Sequence, residues 1–203
     1  MKINETCSIL GRKVILVPYK KQHVLRYHEW MKSKELQELT ASEPLTLQEE
    51  YEMQLSWQQD ENKLTFLIMD LDKWKRASLS EEDCMSGDVN LFLNNDEDKS
   101  VAEIEIMVAE PSCRGRGFGR EAIYLMMKYG VDKLGLKKFT AKIGMKNSKS
   151  LNLFSKLGFK EIARSEVFQE VTLELPVTSD IYQTLKVKTE GSLIEEYRSK
   201  DVH

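Results

Sequence analysis

A strand, a glycine-rich turn and a helix start, placed in succession, narrow the fold of this chain most. From Val101 to Val108 the apolar residues Ala102, Ile104, Ile106 and Val108 alternate with Glu103, Glu105 and Met107. A period of two over a full strand length predicts a β-strand with one apolar face. Pro111 ends it. The hexapeptide Arg114-Gly115-Arg116-Gly117-Phe118-Gly119 follows. From Arg120 to Leu134, Ile123, Met126, Met127, Gly130, Val131 and Leu134 then recur at helical spacing. Glycines let the backbone turn sharply and come close to a ligand. The first N–H groups of a helix have no acceptor within it and lie at the positive end of its dipole. The combination is an anion site suited to a pyrophosphate. Arg114, Arg116 and Arg120 add positive charge beside it.

Two familiar phosphate loops are excluded. The P-loop needs Lys-Ser or Lys-Thr after its glycines, and none follows here. The dinucleotide fingerprint needs a glycine at the position of Arg120. The spacing Arg-x-x-Gly-x-Gly, carried by Arg114, Gly117 and Gly119, resembles the acyl-coenzyme A loop of the GCN5-related N-acetyltransferases (GNAT family). A second, independent stretch resembles that family's Asn-x-x-[Ser/Ala]-x-x-x-[Tyr/Phe]-x-x-x-Gly-Phe, in Asn147, Ser150, Phe154, Gly158 and Phe159. Within the family, Pro18-Tyr19 with His23, Ser42-Glu43-Pro44, Gly87-Asp88-Val89 and Ala102-Glu103-Ile104 are similar to the ribosomal-protein-alanine acetyltransferase type. The resemblance runs over residues 10–176, read as the acetyltransferase domain. Residues 177–203 carry mixed charge and few large apolar side chains, and are read as a partly ordered tail with a short helix and a frayed end.

The pattern along the chain supports the same fold. Residues 11–19 read as a strand and 20–32 as a helix with Val24, Leu25, His28 and Met31 near one face. Thr46-Leu47-Gln48-Glu49 fits a capping box opening a helix to about residue 59. Residues 64–70 read as a buried strand, 72–83 as a polar hairpin loop, 84–93 as a strand and 94–99 as a charged turn. After the glycine turn and its helix come a strand at 138–144, a helix at 147–157, and strands at 159–163 and 168–175. Strands and helices interleave around a central meander. That order predicts an α/β (α+β) fold with a mixed central sheet and helices on both faces.

The chain has 203 residues and a formal net charge of −3, enough for one sizeable core. It lacks the strongly basic balance of nucleic-acid binders, so no nucleic-acid partner is expected. No apolar run approaches membrane-spanning length, so no membrane partner is expected either. Its three cysteines are far apart and form no metal-ligand spacing with the three histidines. No metal is expected, and reduced thiols fit a cytoplasmic or nuclear setting. His23 and His28 read as surface residues.

The resemblance implies acetyl-coenzyme A as cosubstrate and an amine as acceptor. It further implies that the strand before the turn splays from its neighbour, so that backbone groups of Ile106, Met107 and Val108 pair with the pantetheine arm. Backbone N–H groups from Arg116 to Arg120, including Gly117, Phe118 and Gly119, would hold the pyrophosphate, with Arg114 and Gly115 in the same cosubstrate-binding loop. Asn147 would contact the cosubstrate from the next strand–helix junction. Phe154 stands where many members carry a tyrosine whose hydroxyl protonates the departing thiolate, and phenylalanine cannot do so. Glu103 and Glu105 are the carboxylates available as base on the central strand.

The acceptor must lose a proton. At pH about 7.2 roughly a fifth of an α-amino group is neutral but well under 0.1% of a lysine, a difference of about 3.5 kcal/mol. A protein or peptide N-terminus is therefore the acceptor a modest base serves best. A small amine or lysine acceptor is one alternative; a coenzyme A- or partner-binding protein of low turnover, which Phe154 and the acid-rich central strand keep open, is the other.

Overall fold

The computed structural model describes residues 2–93 and 97–200. In chain order the elements are β1 (Cys7–Leu10), β2 (Val14–Pro18), α1 (Val24–Met31), α2 (Lys34–Thr40), α3 (Leu47–Gln59), β3 (Lys63–Asp70), α4 (Leu71–Trp74) and α5 (Glu81–Cys84). Then come β4 (Met85–Phe92), β5 (Val101–Val108), α6 (Phe118–Leu134), β6 (Lys138–Gly144), α7 (Ser148–Lys156), β7 (Lys160–Ser165), β8 (Glu170–Pro176), α8 (Ser179–Lys188) and β9 (Leu193–Glu196). The strands form one sheet in the order β7-β8-β6-β5-β4-β3-β2-β1-β9. Neighbours are antiparallel except β5 and β6, which are parallel.

Sequence chemistry accounts for the main elements. β3 lies mid-sheet and every one of its residues is buried, which its near-continuous apolar run requires. α3 opens on the capping box: Glu49 N–H donates to Thr46 Oγ1 at 3.3 Å, and Thr46 N–H donates to Glu49 Oε2 at 2.7 Å. α6 is bounded by left-handed glycines at both ends, Gly117 and Gly135.

The two sheet faces differ. One packs Ile104, Leu91 and Phe66 against α6 and α7, with Ile123, Met126, Met127 and Phe154 in a continuous apolar layer. The other packs Val17, Leu67, Met69 and Met107 against α1 and α2, with Tyr51, Met53 and Trp57 of α3 at its margin. α3 also turns Glu50 and Gln54 inward.

Several expectations need correction. Residues 72–83 are not a plain hairpin loop. Asp70 caps α4 through the N–H groups of Asp72 and Lys73, and Ser80 with Asp83 forms a second capping box that starts α5. Strand β1 and helix α2 lie where none was expected. β8 begins at Glu170, and Phe168 is exposed in the turn before it. The charged turn at 94–99 falls partly outside the described residues.

The segment after 176 is more ordered than a frayed end. α8 buries Leu185 and joins Tyr182 Oη to Asp132 Oδ1 of α6 at 3.1 Å. β9 pairs with β1 through its main chain while its side chains stay exposed. A pairing made by backbone alone leaves no side-chain pattern to read.

His23 and His28 are not surface residues. His23 is fully buried, with Nδ1 accepting from Lys20 N–H, so Nε2 carries the proton it donates to Glu81 Oε2 at 2.6 Å. Glu81 also accepts from Tyr197 Oη and Lys200 N–H, which ties the C-terminal segment to this pair. His28 Nδ1 lies 3.3 Å from Glu50 Oε2. A buried carboxylate recruits such donors because it cannot stay unpaired cheaply.

Candidate functional site

The pairing of β5 with β6 stops at Glu103 opposite Thr140. Beyond that, β5 stays on β4 as far as Val108 opposite Gly87, while β6 pairs with β8 along its length. The two parallel strands part. The side of β5 facing β6 therefore has no strand partner from Ile104 to Val108. An open strand edge inside a sheet can take an extended amide-bearing ligand.

A cleft of about 850 Å³ opens at this parting. Its walls are Ile106, Met107 and Val108 of β5, the glycine turn with the start of α6, residues 146–150 at the start of α7, and the inner side of α2. Gly115 (φ +73°) and Gly117 (φ +89°) hold left-handed conformations that L side chains resist. Gly117 caps α6 without a side chain. Glu121 N–H is the first to bond back, to Gly117 O at 3.1 Å. The N–H groups of Phe118, Gly119 and Arg120 remain for a ligand in the cleft that these residues line. A Cβ on Gly119 would meet Val108 Cγ2 at 3.3 Å and Ile106 Cδ1 at 3.6 Å. The missing side chain lets the helix start lie against β5.

The turn is braced from behind. Lys13 Nζ donates to Arg116 O at 2.9 Å, and the N–H groups of Arg12 and Lys13 donate to Glu121. Arg114 lines the cleft, with Nε on Val108 O at 3.0 Å and Nη1 on Glu35 Oε1 at 3.1 Å. It ties α2 to the end of β5.

Arg116 is placed differently: it pairs with Asp70 Oδ2 at 3.0 Å, lies over the Phe118 ring, and is absent from the cleft wall. Asn147 caps α7, its Oδ1 accepting from Ser150 N–H at 3.1 Å. Its side-chain amine has no partner among the described residues and borders the cleft. Phe154 is buried against Phe159, edge to face with ring centroids 4.9 Å apart, and does not reach the cleft. Cys113 does line it, with Sγ 3.4 Å from Ser86 Oγ.

The two candidate bases separate. Both lie on the face that carries α1 to α3, opposite Ile104 and Ile106, and neither lines the cleft. Glu103 is committed to Lys142 of β6, 2.9 Å away. Glu105 has no hydrogen bond or ion pair among the described residues. Its side chain is exposed, yet the protein packed around it makes its charge costly, and Glu103 and Asp88 repel that charge. Its pKa is pushed up to about 7, against a smaller downward pull from Lys63 and Lys142.

Around Glu105 the sheet face is polar. Thr65 of β3, Asn90 of β4 and Glu105 of β5 are cross-strand neighbours in one row. Thr65 Oγ1 donates to Asn90 Oδ1 at 2.6 Å, and Asn90 Nδ2 donates to Asp88 Oδ2 at 2.6 Å. Asp88 is buried with Oδ1 unpartnered, and burial pushes its pKa to about 6. Lys63 is 5% exposed, its ammonium 3.6 Å from the Trp57 ring centroid and 3.9 Å from that of Phe92. Burial lowers its pKa to about 8. Neither Lys63 nor Asp88 was singled out in the sequence for a role. The available signal was the polar residues Asp88 and Asn90, two apart on one face of a strand whose later half is otherwise apolar.

A sheet parted at one parallel pair, with a glycine-turned helix start facing the gap, is the architecture of an acyl-coenzyme A-dependent transferase. The sequence matches the family described as an acetyltransferase (GNAT) domain over residues 13–160, and the chain belongs to that family. It is an N-acetyltransferase that uses acetyl-coenzyme A. It is 55% identical over 203 residues to the human protein named alpha/beta-tubulin-N-acetyltransferase 9, covering 99% of this chain and 97% of that one. It is 59% identical over 174 residues to the N-acetyltransferase 9-like protein of Nematostella vectensis, covering 86% and 88%. The runs Thr40–Thr46 and Val108–Gly115 resemble the N-acetyltransferase 9 proteins of animals. A spermidine N-acetyltransferase from Vibrio cholerae, solved with CoA and spermine, shares the fold with a TM-score of 0.69 at 20% identity, covering 84% of this chain and 98% of that one.

Proposed function

We propose that the acceptor is a protein N-terminal α-amino group and that Glu105 is the base that receives its proton. The observation that carries this is the place of Glu105, without a hydrogen bond or ion pair among the described residues, on the sheet face beside the parting of β5 and β6; its surroundings push its pKa up to about 7. A base of that strength is nearly matched to an α-amine and about three pH units too weak for a lysine. The names of the human and fly relatives, both alpha/beta-tubulin-N-acetyltransferase 9, support a protein acceptor.

Ile106 to Val108 would pair with the pantetheine arm, the N–H groups of Phe118, Gly119 and Arg120 would hold the pyrophosphate, and Asn147 would donate from its side-chain amide. Bound there, acetyl-coenzyme A supplies a thioester open to attack by an unprotonated amine. Glu105 takes one proton from the acceptor's ammonium and afterwards returns it to solvent. Glu103 stays paired with Lys142 and steadies the point at which the strands part. With Phe154 out of reach, the departing thiolate takes a proton from water or from Ser150 at the cleft, and the second proton that the attacking nitrogen sheds replaces it.

Peptides with free and blocked N-termini, each with and without an internal lysine, test the reading. With acetyl-coenzyme A and mass-spectrometric mapping, acetylation is expected on the α-amine of the free peptides. Acetylation of lysine in the blocked peptides, or faster turnover of a polyamine, would overturn it.

A further inference from the structure

Lys63 and Asp88 are costly where they stand. Each is buried, and neither makes an ion pair among the described residues. The Lys63 ammonium rests on two aromatic faces, which favour a cation without neutralising it. Asp88 keeps one oxygen unpartnered although Asn90 and Thr65 organise the other. Burying charge at such cost in the interior of a sheet calls for a compensating use. Their positions suggest one. On this face the row Thr65–Asn90–Glu105 lies between the row of Lys63, Phe92 and Glu103 and the row of Leu67, Asp88 and Met107. Glu105 is thus flanked by a fixed cation on one side and a fixed carboxyl on the other.

We infer that Lys63 and Asp88 are positioning residues that act on Glu105 from opposite sides and together set the pH at which it can take the acceptor's proton. The inference rests on the reading of Glu105 as base. Lys63 stabilises the carboxylate form of Glu105, and Asp88 opposes it. The other charged or titratable groups facing Glu105 are Glu103 on its own strand, Lys142 on β6 and Tyr27 on α1. Glu103 pushes the Glu105 pKa up more than any other charge does, and Lys142 offsets only part of that push. Tyr27 stays neutral because burial holds its pKa far above the ordinary value. Lys63 acts against the push from Glu103, and Asp88 acts with it. No atom moves except the proton: the acceptor ammonium gives it to the Glu105 carboxylate, which becomes a carboxylic acid.

The test is a carbon-13 titration of the Glu105 carboxyl by NMR, its signal assigned by its loss in Glu105→Gln, in the wild type and in Lys63→Met, Lys63→Arg and Asp88→Asn. The pH profile of kcat/KM on a free-α-amine peptide is measured alongside. Lys63→Met should move both midpoints up and Asp88→Asn should move both down, each by about half a unit to one unit. Lys63→Arg, which keeps the cation in its aromatic cage, should restore the wild-type midpoint. Midpoints that stay put, or that move the same way in both variants, would overturn the inference. The NMR midpoint needs no acceptor. Opposite NMR shifts with no peptide acetylated would therefore sink the acceptor reading and leave the tuning intact.

Discussion

The two faces of the sheet solve different problems with the same strands. The face under α6 and α7 is an apolar layer, and what it offers a cosubstrate is backbone: the open edge of β5 and the N–H groups at the start of α6. The face under α1 to α3 carries Lys63, Asp88, Glu50, His23 and Glu81 in its interior. Backbone suffices to hold a pantetheine and a pyrophosphate, because amides and a helix start match them in any sequence that makes the turn. Moving a proton needs side chains of tuned acidity, and the buried charged groups around such a side chain do the tuning. One face is therefore written in glycines and spacing, the other in isolated polar residues.

If that division holds, losses should sort by face. The largest concerns Glu105→Gln, which should lower kcat/KM on a free-α-amine peptide about 100-fold near pH 7 while acetyl-coenzyme A affinity stays within about threefold. Glu103→Gln, which removes a residue held by Lys142, should cost less than about threefold in the same assay. Equal losses in the two variants would erase the distinction drawn between them.

Asp88→Asn should alter stability in a pH-dependent way. The Asp88 pKa is raised in the folded state, so the stability this group contributes is fully present below about pH 4 and is lost as pH rises through about 6. Denaturant unfolding should show the variant gaining on the wild type by about 2–3 kcal/mol between pH 4 and pH 7. A constant difference across that range would mean that Asp88 is not a strained carboxylate.

On the other face, Gly117→Ala forces a side chain into a left-handed backbone, at about 1–2 kcal/mol. Calorimetry should show acetyl-coenzyme A binding weakened about tenfold, with the peptide pH profile unmoved. Arg116→Ala should do least. Its guanidinium serves Asp70 rather than the cleft, so coenzyme A affinity should stay within about threefold while stability drops by about 1 kcal/mol. A loss confined to ligands that carry the pyrophosphate would return Arg116 to the cosubstrate site.

The same division explains what the sequence makes legible. The β5 alternation, the turn from Arg114 to Gly119 and the start at Asn147 all act through local geometry, which local sequence encodes, and each stands where its pattern places it. Arg116 and Phe154 share those motifs, yet their side chains turn elsewhere, because a motif fixes backbone and not the partner that a side chain meets. Asp70, which captures Arg116, comes from a strand distant in sequence. Lys63 and Asp88 become neighbours of Glu105 only through the β3–β4–β5 register, which no single stretch reveals. His23 looked like a surface residue for the same reason: Glu81, the group that buries it, lies 58 residues away. β9 joins the sheet by main-chain bonds and so leaves no side-chain signature at all.

The most direct test of the account is the ratio of wild-type to Glu105→Gln turnover on a free-α-amine peptide, followed from about pH 7 to pH 9 at saturating acetyl-coenzyme A. A base matters while the acceptor is protonated and ceases to matter once the α-amine has lost its proton to water. The ratio should therefore fall from about 100 near pH 7 toward a few-fold by pH 9. A ratio that stays near one throughout would mean that the amine loses its proton in solvent, and a large ratio that does not change with pH would mean that Glu105 holds the site's shape rather than takes the proton.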